Sequence, residues 1–205
     1  VTTIVCVASG PSLTTEDVTH CRGRARVLAI NNNYALAPWA DWLYAGDYVW
    51  WRCHLRGSHG NKVWKALLDG YAGERWTLDR KAADEFGLRW VEDASGPNRP
   101  MRLCKDAGKV YNGANSGFAA INLAWHLGAT KIVLLGYDMQ KTGGRTHWFG
   151  DHPPELSSAA DFPAFRSYFP LLAQDLADAG VEVVNCSRQT ALDVFRRSTV
   201  QEELR

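Results

Sequence analysis

Four short runs of apolar, mostly β-branched residues, each cut off by small polar residues, constrain this chain more than anything else in it. TIVCVA (3–8) stops at Ser9-Gly10-Pro11-Ser12 and RVLAI (26–30) at Asn31-Asn32-Asn33. KIVLLGY (131–137) stops at Asp138, and VEVVNC (181–186) at Ser187. A strand with almost no polar residue has no face left for water, so it is covered on both sides. Helical patterns lie between the runs, and that alternation makes a parallel or mostly parallel α/β sheet. A further strand is expected over 41–47 (DWLYAGD).

The helical segments carry their own signals. TTEDV offers Thr14 or Thr15 as a cap with acidic residues in the first turn. Residues 116–127 are apolar around most of the circumference, as in a helix packed centrally, and Gly128 stands where such a helix stops. Phe162, Phe165, Phe169, Leu172 and Leu176 recur at helical spacing, with a kink or split expected at Pro170. TALDVFRR (190–197) reads as a short closing helix. The chain, 1–205, is expected to be a single α/β domain with a variable insertion at about 48–110. Within that segment NKVWKALLDGY looks helical with Gly70 as its stop, LRWVED (88–93) looks like a strand, and ASGPNRPMR is a loop.

Composition narrows the setting. A hydrophobic content of 46% is ample for a core, and a net charge of +1 gives no general pull toward nucleic acid. Five scattered cysteines without CxxC spacing argue against a disulfide framework and a structural zinc site, and fit a reducing compartment. No basic-then-apolar leader opens the chain, and no apolar run is long enough to span a bilayer. The expected location is the cytoplasm. Nine tryptophans are many for 205 residues. They read as core and pocket wall, or, for Trp50 and Trp51 with Arg52 and Arg56, as an acceptor-side surface. His126 reads as a core histidine, and His54 and His59 as surface residues.

In parallel sheets ligands bind beyond the carboxyl ends of the strands. There the sequence places Ser9, Gly10, Pro11, Ser12, Asn31, Asn32, Asp47, Asp138, Asn185 and Ser187. The start of the central helix adds Gly113, Asn115, Ser116 and Gly117. Glycines let backbone N–H groups approach an anion, and asparagine amides can read a base or ribose edge. The result is a polar rim suited to phosphate. Neither GxGxxG nor GxxxxGK[ST] is present. In MQKTGGRTHWFGDHPPEL (139–156), Lys141 and Arg145 can neutralise phosphate, and His147 and His152 are paired imidazoles suited to a general base. Asp47 and Asp138 are candidates to hold a divalent cation, Mg²⁺ or Mn²⁺, on a diphosphate.

ASGPSL, AINNNY, NSGFAAINLAWHLGATKIVLLGYDM and THWFGDHP, in that order, resemble the bacterial sialyltransferases of the Campylobacter type. They are equally similar to a superfamily of archaeal 6-hydroxymethylpterin diphosphokinase-like proteins and phage proteins. The resemblance covers the chain up to Ala45 and again 111–197. The sialyltransferase likeness implies a Rossmann-like GT-A variant that binds a nucleotide sugar through Ser9 to Ser12, Asn31 and Asn115 to Gly117. It implies a histidine base, His152 by its place after Gly150, with His147 as the alternative, and an acceptor that is a saccharide or a hydroxymethylated DNA base. Ser9 stands where that family has asparagine, and its loop tyrosines are missing, so Lys141, Arg145 or a metal would substitute. Asp47 with KTGGRTH is closer to the diphosphokinase-like branch, which uses ATP and magnesium. The expected activity is glycosyl transfer, with a diphosphokinase or a non-catalytic nucleotide-binding module as alternatives.

Overall fold

A computed structural model describes residues 1–57, 62–97, 99–156 and 160–205, with Lys62 in its backbone only. His59 lies outside the described residues. In chain order the elements are β1 (Thr3–Val7), α1 (Thr15–His20), β2 (Arg26–Ile30), β3 (Trp42–Tyr44), α2 (Tyr48–Arg56) and α3 (Lys62–Asp69). Then come β4 (Glu74–Thr77), α4 (Arg80–Phe86), β5 (Arg89–Trp90), β6 (Glu92–Asp93), β7 (Lys109–Val110) and α5 (Ser116–His126). The chain closes with β8 (Lys131–Leu135), α6 (Phe162–Asp178), β9 (Glu182–Asn185), β10 (Arg196–Arg197) and α7 (Val200–Glu203).

Eight strands form one sheet in the order β10-β9-β8-β1-β2-β3-β4-β5, and each of its ladders is parallel. The apolar runs make its middle. Alternate residues of a strand face opposite sides, and here both sides are covered. Ile4, Cys6, Leu28, Ile30, Ile132 and Leu134 pack with α5 and α6, while Val5, Val7, Val27, Ala29, Val133 and Leu135 pack with α1, α2 and α7. Thr14 caps α1 by accepting from Asp17 N. All five cysteines are free and buried. No described helix is long and apolar enough to cross a membrane.

The chain winds outward from β1 to β5, returns beside β1 as β8, and winds outward the other way to β10. The winding therefore reverses between β1 and β8, which opens a crevice beyond their carboxyl ends.

Several expectations need correction. Within 48–110, β4 pairs with β3 and β5 with β4, and these parallel ladders continue the main sheet. Only β6 and β7 leave it, as a separate pair, so 88–93 is two short strands in two sheets. The segment 190–197 is not a helix; it runs irregularly into β10. Pro170 sits inside a continuous α6 on its exposed side. His54 is buried, with Nδ1 2.9 Å from the Trp50 carbonyl oxygen and its ring stacked on Trp50 at 3.9 Å. His126 is half-buried, and its Nε2 has no partner among the described residues.

Candidate functional site

Where β1 and β8 end, their ladder continues into the turns. Ala8 N donates to Leu135 O and Gly10 N to Gly136 O, both at 2.8 Å. The turns touch so closely that a Cβ on Gly10 would lie 2.2 Å from Asp138 Oδ1. Gly136 has φ +68, and a Cβ there would lie 2.2 Å from Ala8 O. Asp138, 1% exposed, fastens the two turns. It accepts from Ser12 N (2.9 Å), Ser12 Oγ (2.7 Å) and Thr142 Oγ1 (3.0 Å). Burial outweighs these bonds and raises its pKa above the ordinary carboxylate range. Asp138 is thus a clamp with both oxygens engaged. Among the described residues no three His, Cys, Asp or Glu side chains converge on a metal position.

Above the crevice lies a cleft of about 640 Å³. Its walls bring together Ser9 and Gly10 after β1, Asn31 after β2, Asp47 after β3, and Asn115, Ser116 and Gly117 at the start of α5. His147 and His152 come from the loop after β8. Asn115 caps α5 by accepting from Phe118 N at 2.9 Å. The N–H groups of Ser116 and Gly117 precede the first intrahelical bond, so they are available to an anion. Gly117 is needed because a Cβ would lie 2.9 Å from the Tyr137 ring, whose hydroxyl donates to Gly117 O.

The histidine loop is tied down over this floor. Trp148 N donates to Ser9 O at 3.1 Å, and Trp148 Nε1 to Asn33 Oδ1 at 2.7 Å. His147 Nδ1 lies 3.2 Å from Ser9 Oγ, and its ring stacks on Phe149 at 5.1 Å. His152 meets His147 edge-on at 4.8 Å, and its Nδ1 has no partner among the described residues. Burial lowers both pKa values, that of His152 to about 4, with the neighbouring His147 adding to the effect. Both shifts favour the uncharged imidazole, and the larger one leaves His152 the weaker base. A second cavity of about 360 Å³ is lined by His54, Trp64, Phe149, Asp151 and His152, so His152 belongs to both walls.

Other expected residues stand elsewhere. Ser12 is spent on Asp138, and Pro11 is buried beside it. Asn32 accepts from Trp50 Nε1 at 2.8 Å, outside the main cleft. Lys141 and Arg145 are exposed and do not line the cleft. Of the acceptor-side quartet only Trp50 reaches the cleft wall. Trp51 is fully buried and donates to Ala45 O, Arg52 lies over the Tyr48 ring, and Arg56 pairs with Glu85. Adjacent helical residues point in different directions, so the four could not share one surface.

The sequence reading missed Tyr44, Asp79 and Asp93, which also line the cleft. Asp79 stands two residues past the end of β4, and recognising that strand would have found it. No Lys or Arg is among the described lining residues. Burial, helped by Asp79, raises the pKa of Asp47. Three described non-glycine residues have positive φ, namely Asn31 (53°), Ala114 (56°) and Met139 (49°), and all three line the cleft. Each such conformation costs on the order of 1 kcal/mol, and strain of this kind gathers at binding sites.

No protein-family model, curated protein or solved structure matches this chain.

Proposed function

We propose that the protein is a glycosyltransferase of the cytoplasm that binds a nucleotide sugar in the crevice cleft and moves the sugar to an acceptor hydroxyl. The observation that carries this reading is His147 held 3.2 Å from Ser9 Oγ, with His152 beside it. A group that deprotonates a hydroxyl must be unprotonated at working pH and fixed in place, and burial and stacking do both. In the step, the acceptor oxygen bonds to the anomeric carbon as its proton passes to the histidine. The bond from that carbon to the nucleotide phosphate breaks, and the phosphate leaves with the electron pair. The Ser116 and Gly117 N–H groups would receive the charge that develops there.

A saccharide acceptor is favoured over a hydroxymethylated DNA base. The cavity behind His152 offers Trp64 and Phe149 as apolar walls and Asp151 as a hydroxyl acceptor. The residues expected to face DNA are withdrawn from the cleft, Trp51 into the core and Arg56 onto Glu85.

A second reading, a magnesium-dependent diphosphokinase, draws on the three carboxylates Asp47, Asp79 and Asp93 in a cleft with no Lys or Arg among its described lining residues. Asp47 would hold the cation, which would carry the diphosphate charge.

The test is nucleotide release from a panel of UDP, GDP and CMP sugars and from ATP, with and without Mg²⁺. Glycosyl transfer predicts release of the sugar-carrying nucleotide and a loss of about 10²–10⁴-fold in rate for His147→Ala or His152→Ala, whichever is the base. Magnesium-dependent AMP release from ATP alone would establish the second reading. Turnover unchanged in both variants would remove histidine base catalysis.

A further inference from the structure

The acidic end of the cleft contains two groups that the fold leaves unused. Tyr44 is 0% exposed, yet its hydroxyl has no hydrogen-bond partner among the described residues. That hydroxyl lies beside Gly46, where a Cβ would stand 3.5 Å from it, and both residues line the cleft. Asp47, the next residue, precedes α2 without capping it, and its carboxylate makes no hydrogen bond among the described residues. The neighbouring acids differ. Asp93 is occupied on both oxygens by Ser95 N and Asn112 Nδ2, and Asp79 uses Oδ1 to cap α4 through Ala82 N. One carboxylate with two free oxygens therefore stands next to one unsatisfied buried hydroxyl.

We infer that the Asp47–Tyr44 corner receives the vicinal diol of the ligand's ribose. This rests on the nucleotide reading above. The two ribose hydroxyls donate to the two carboxylate oxygens, and the Tyr44 hydroxyl gains a partner in one ribose oxygen. An unsatisfied buried hydroxyl is costly, and a diol removes that cost while matching a carboxylate's two acceptors. The position also fits. Helix α5 packs against β1 and β2, its Ser116 and Gly117 share the cleft wall with Asp47, and Asp47 follows β3, the strand next to β2 and about 4.8 Å from it. A nucleotide whose phosphate sits on the Ser116 and Gly117 N–H groups therefore has Asp47 and Tyr44 within the same cleft for its ribose.

Isothermal titration of the full chain with UDP, CDP, ADP and GDP, and with their 2′-deoxy and 3′-deoxy forms, tests the assignment. Hydrogen bonds to a charged group make each deoxy form of the best binder about 10-fold weaker or more. In Asp47→Asn, and separately in Tyr44→Phe, the ribonucleotide weakens while the deoxy forms change less than about 3-fold, so the ribose preference collapses. Equal binding of ribose and deoxyribose forms by the native protein overturns the assignment. So does a preference that survives Asp47→Asn, or one that exists only with Mg²⁺, which would give Asp47 to the cation. If Asp47→Asn does not fold, the native ribose comparison and Tyr44→Phe decide. Failure of all four ribonucleotides to bind overturns the nucleotide reading itself, and the diol corner with it.

Discussion

Replacing Gly10 with alanine strikes the contact on which the cleft is built. The new methyl would stand 2.2 Å from Asp138 Oδ1 and 2.5 Å from the Gly136 carbonyl oxygen, against 3.4 Å or more for an ordinary contact. Neither neighbour is free to withdraw. Asp138 is held by Ser12 twice and by Thr142, and the Gly136 oxygen is the acceptor for Gly10 N. The turns must part. That forfeits a backbone hydrogen bond, about 1 kcal/mol, and weakens one or more bonds to a carboxylate, about 1.5–3 kcal/mol each. Residual overpacking adds about 1–3 kcal/mol. The expected loss is about 4 kcal/mol, a large part of the roughly 5–15 kcal/mol that holds a domain together. Urea unfolding measures it, and Gly144→Ala is the control. Gly144 has φ +78 but nothing within 4 Å of an added Cβ, so only backbone strain of about 1–2 kcal/mol applies. If Gly10→Ala costs no more than Gly144→Ala, the turns are not in the contact described.

Two further expectations concern stability. Burial holds His54 at a pKa of about 4, against an ordinary 6.5, a difference worth about 3 kcal/mol. The unfolded chain binds that proton first as pH falls from 6.5 to 4, so native stability is lost across this window. His54→Gln should lose stability less steeply than the native chain between those pH values, and equal slopes in urea unfolding would refute the assignment. Asp175 is buried and accepts from Arg102 Nε (2.8 Å), Arg102 Nη2 (2.5 Å) and Leu103 N (3.1 Å), fastening the loop before β7 to α6. With Arg102 half exposed, Asp175→Ala should cost about 2–3 kcal/mol. A midpoint shift equivalent to less than about 1 kcal/mol would show that the loop is held by other contacts.

What the sequence disclosed followed burial. The middle strands are covered on both faces, so β1, β2, β8 and β9 wrote themselves as apolar runs, and the strand-end rule then led to Ser9, Gly10, Asn31 and the histidine loop. Strands toward the margins carry no such signal. β4 reads ERWT, and β5 is Arg89–Trp90 with both residues exposed, so Asp79 and Asp93 went unnoticed. The helix expected over 190–197 yields to side-chain bonds invisible in local pattern. Thr190 Oγ1 donates to Tyr137 O, and Asn185 Nδ2 to Leu192 O, which hold the segment against the end of the sheet. Pro170 leaves α6 continuous because it lies on the exposed side, where water can serve the carbonyl that lost its partner. Trp50 and His54, four residues apart, lie on one helix face, a spacing that could have shown His54 to be inside.

The crevice between β1 and β8 is also a seam in time. Thr3 pairs with Lys131, so more than half of the chain must be made before the two sides of the cleft can meet. Closing so large a loop is slow and entropically costly. A nascent chain that ends before β8 can form β1 through β5, but it carries β1, almost wholly apolar, as a bare sheet edge. Such an edge invites pairing with another chain. Until β8 arrives, the strand that will later floor the binding site is the molecule's most adhesive surface, and the closing of that edge and the making of the site are one event.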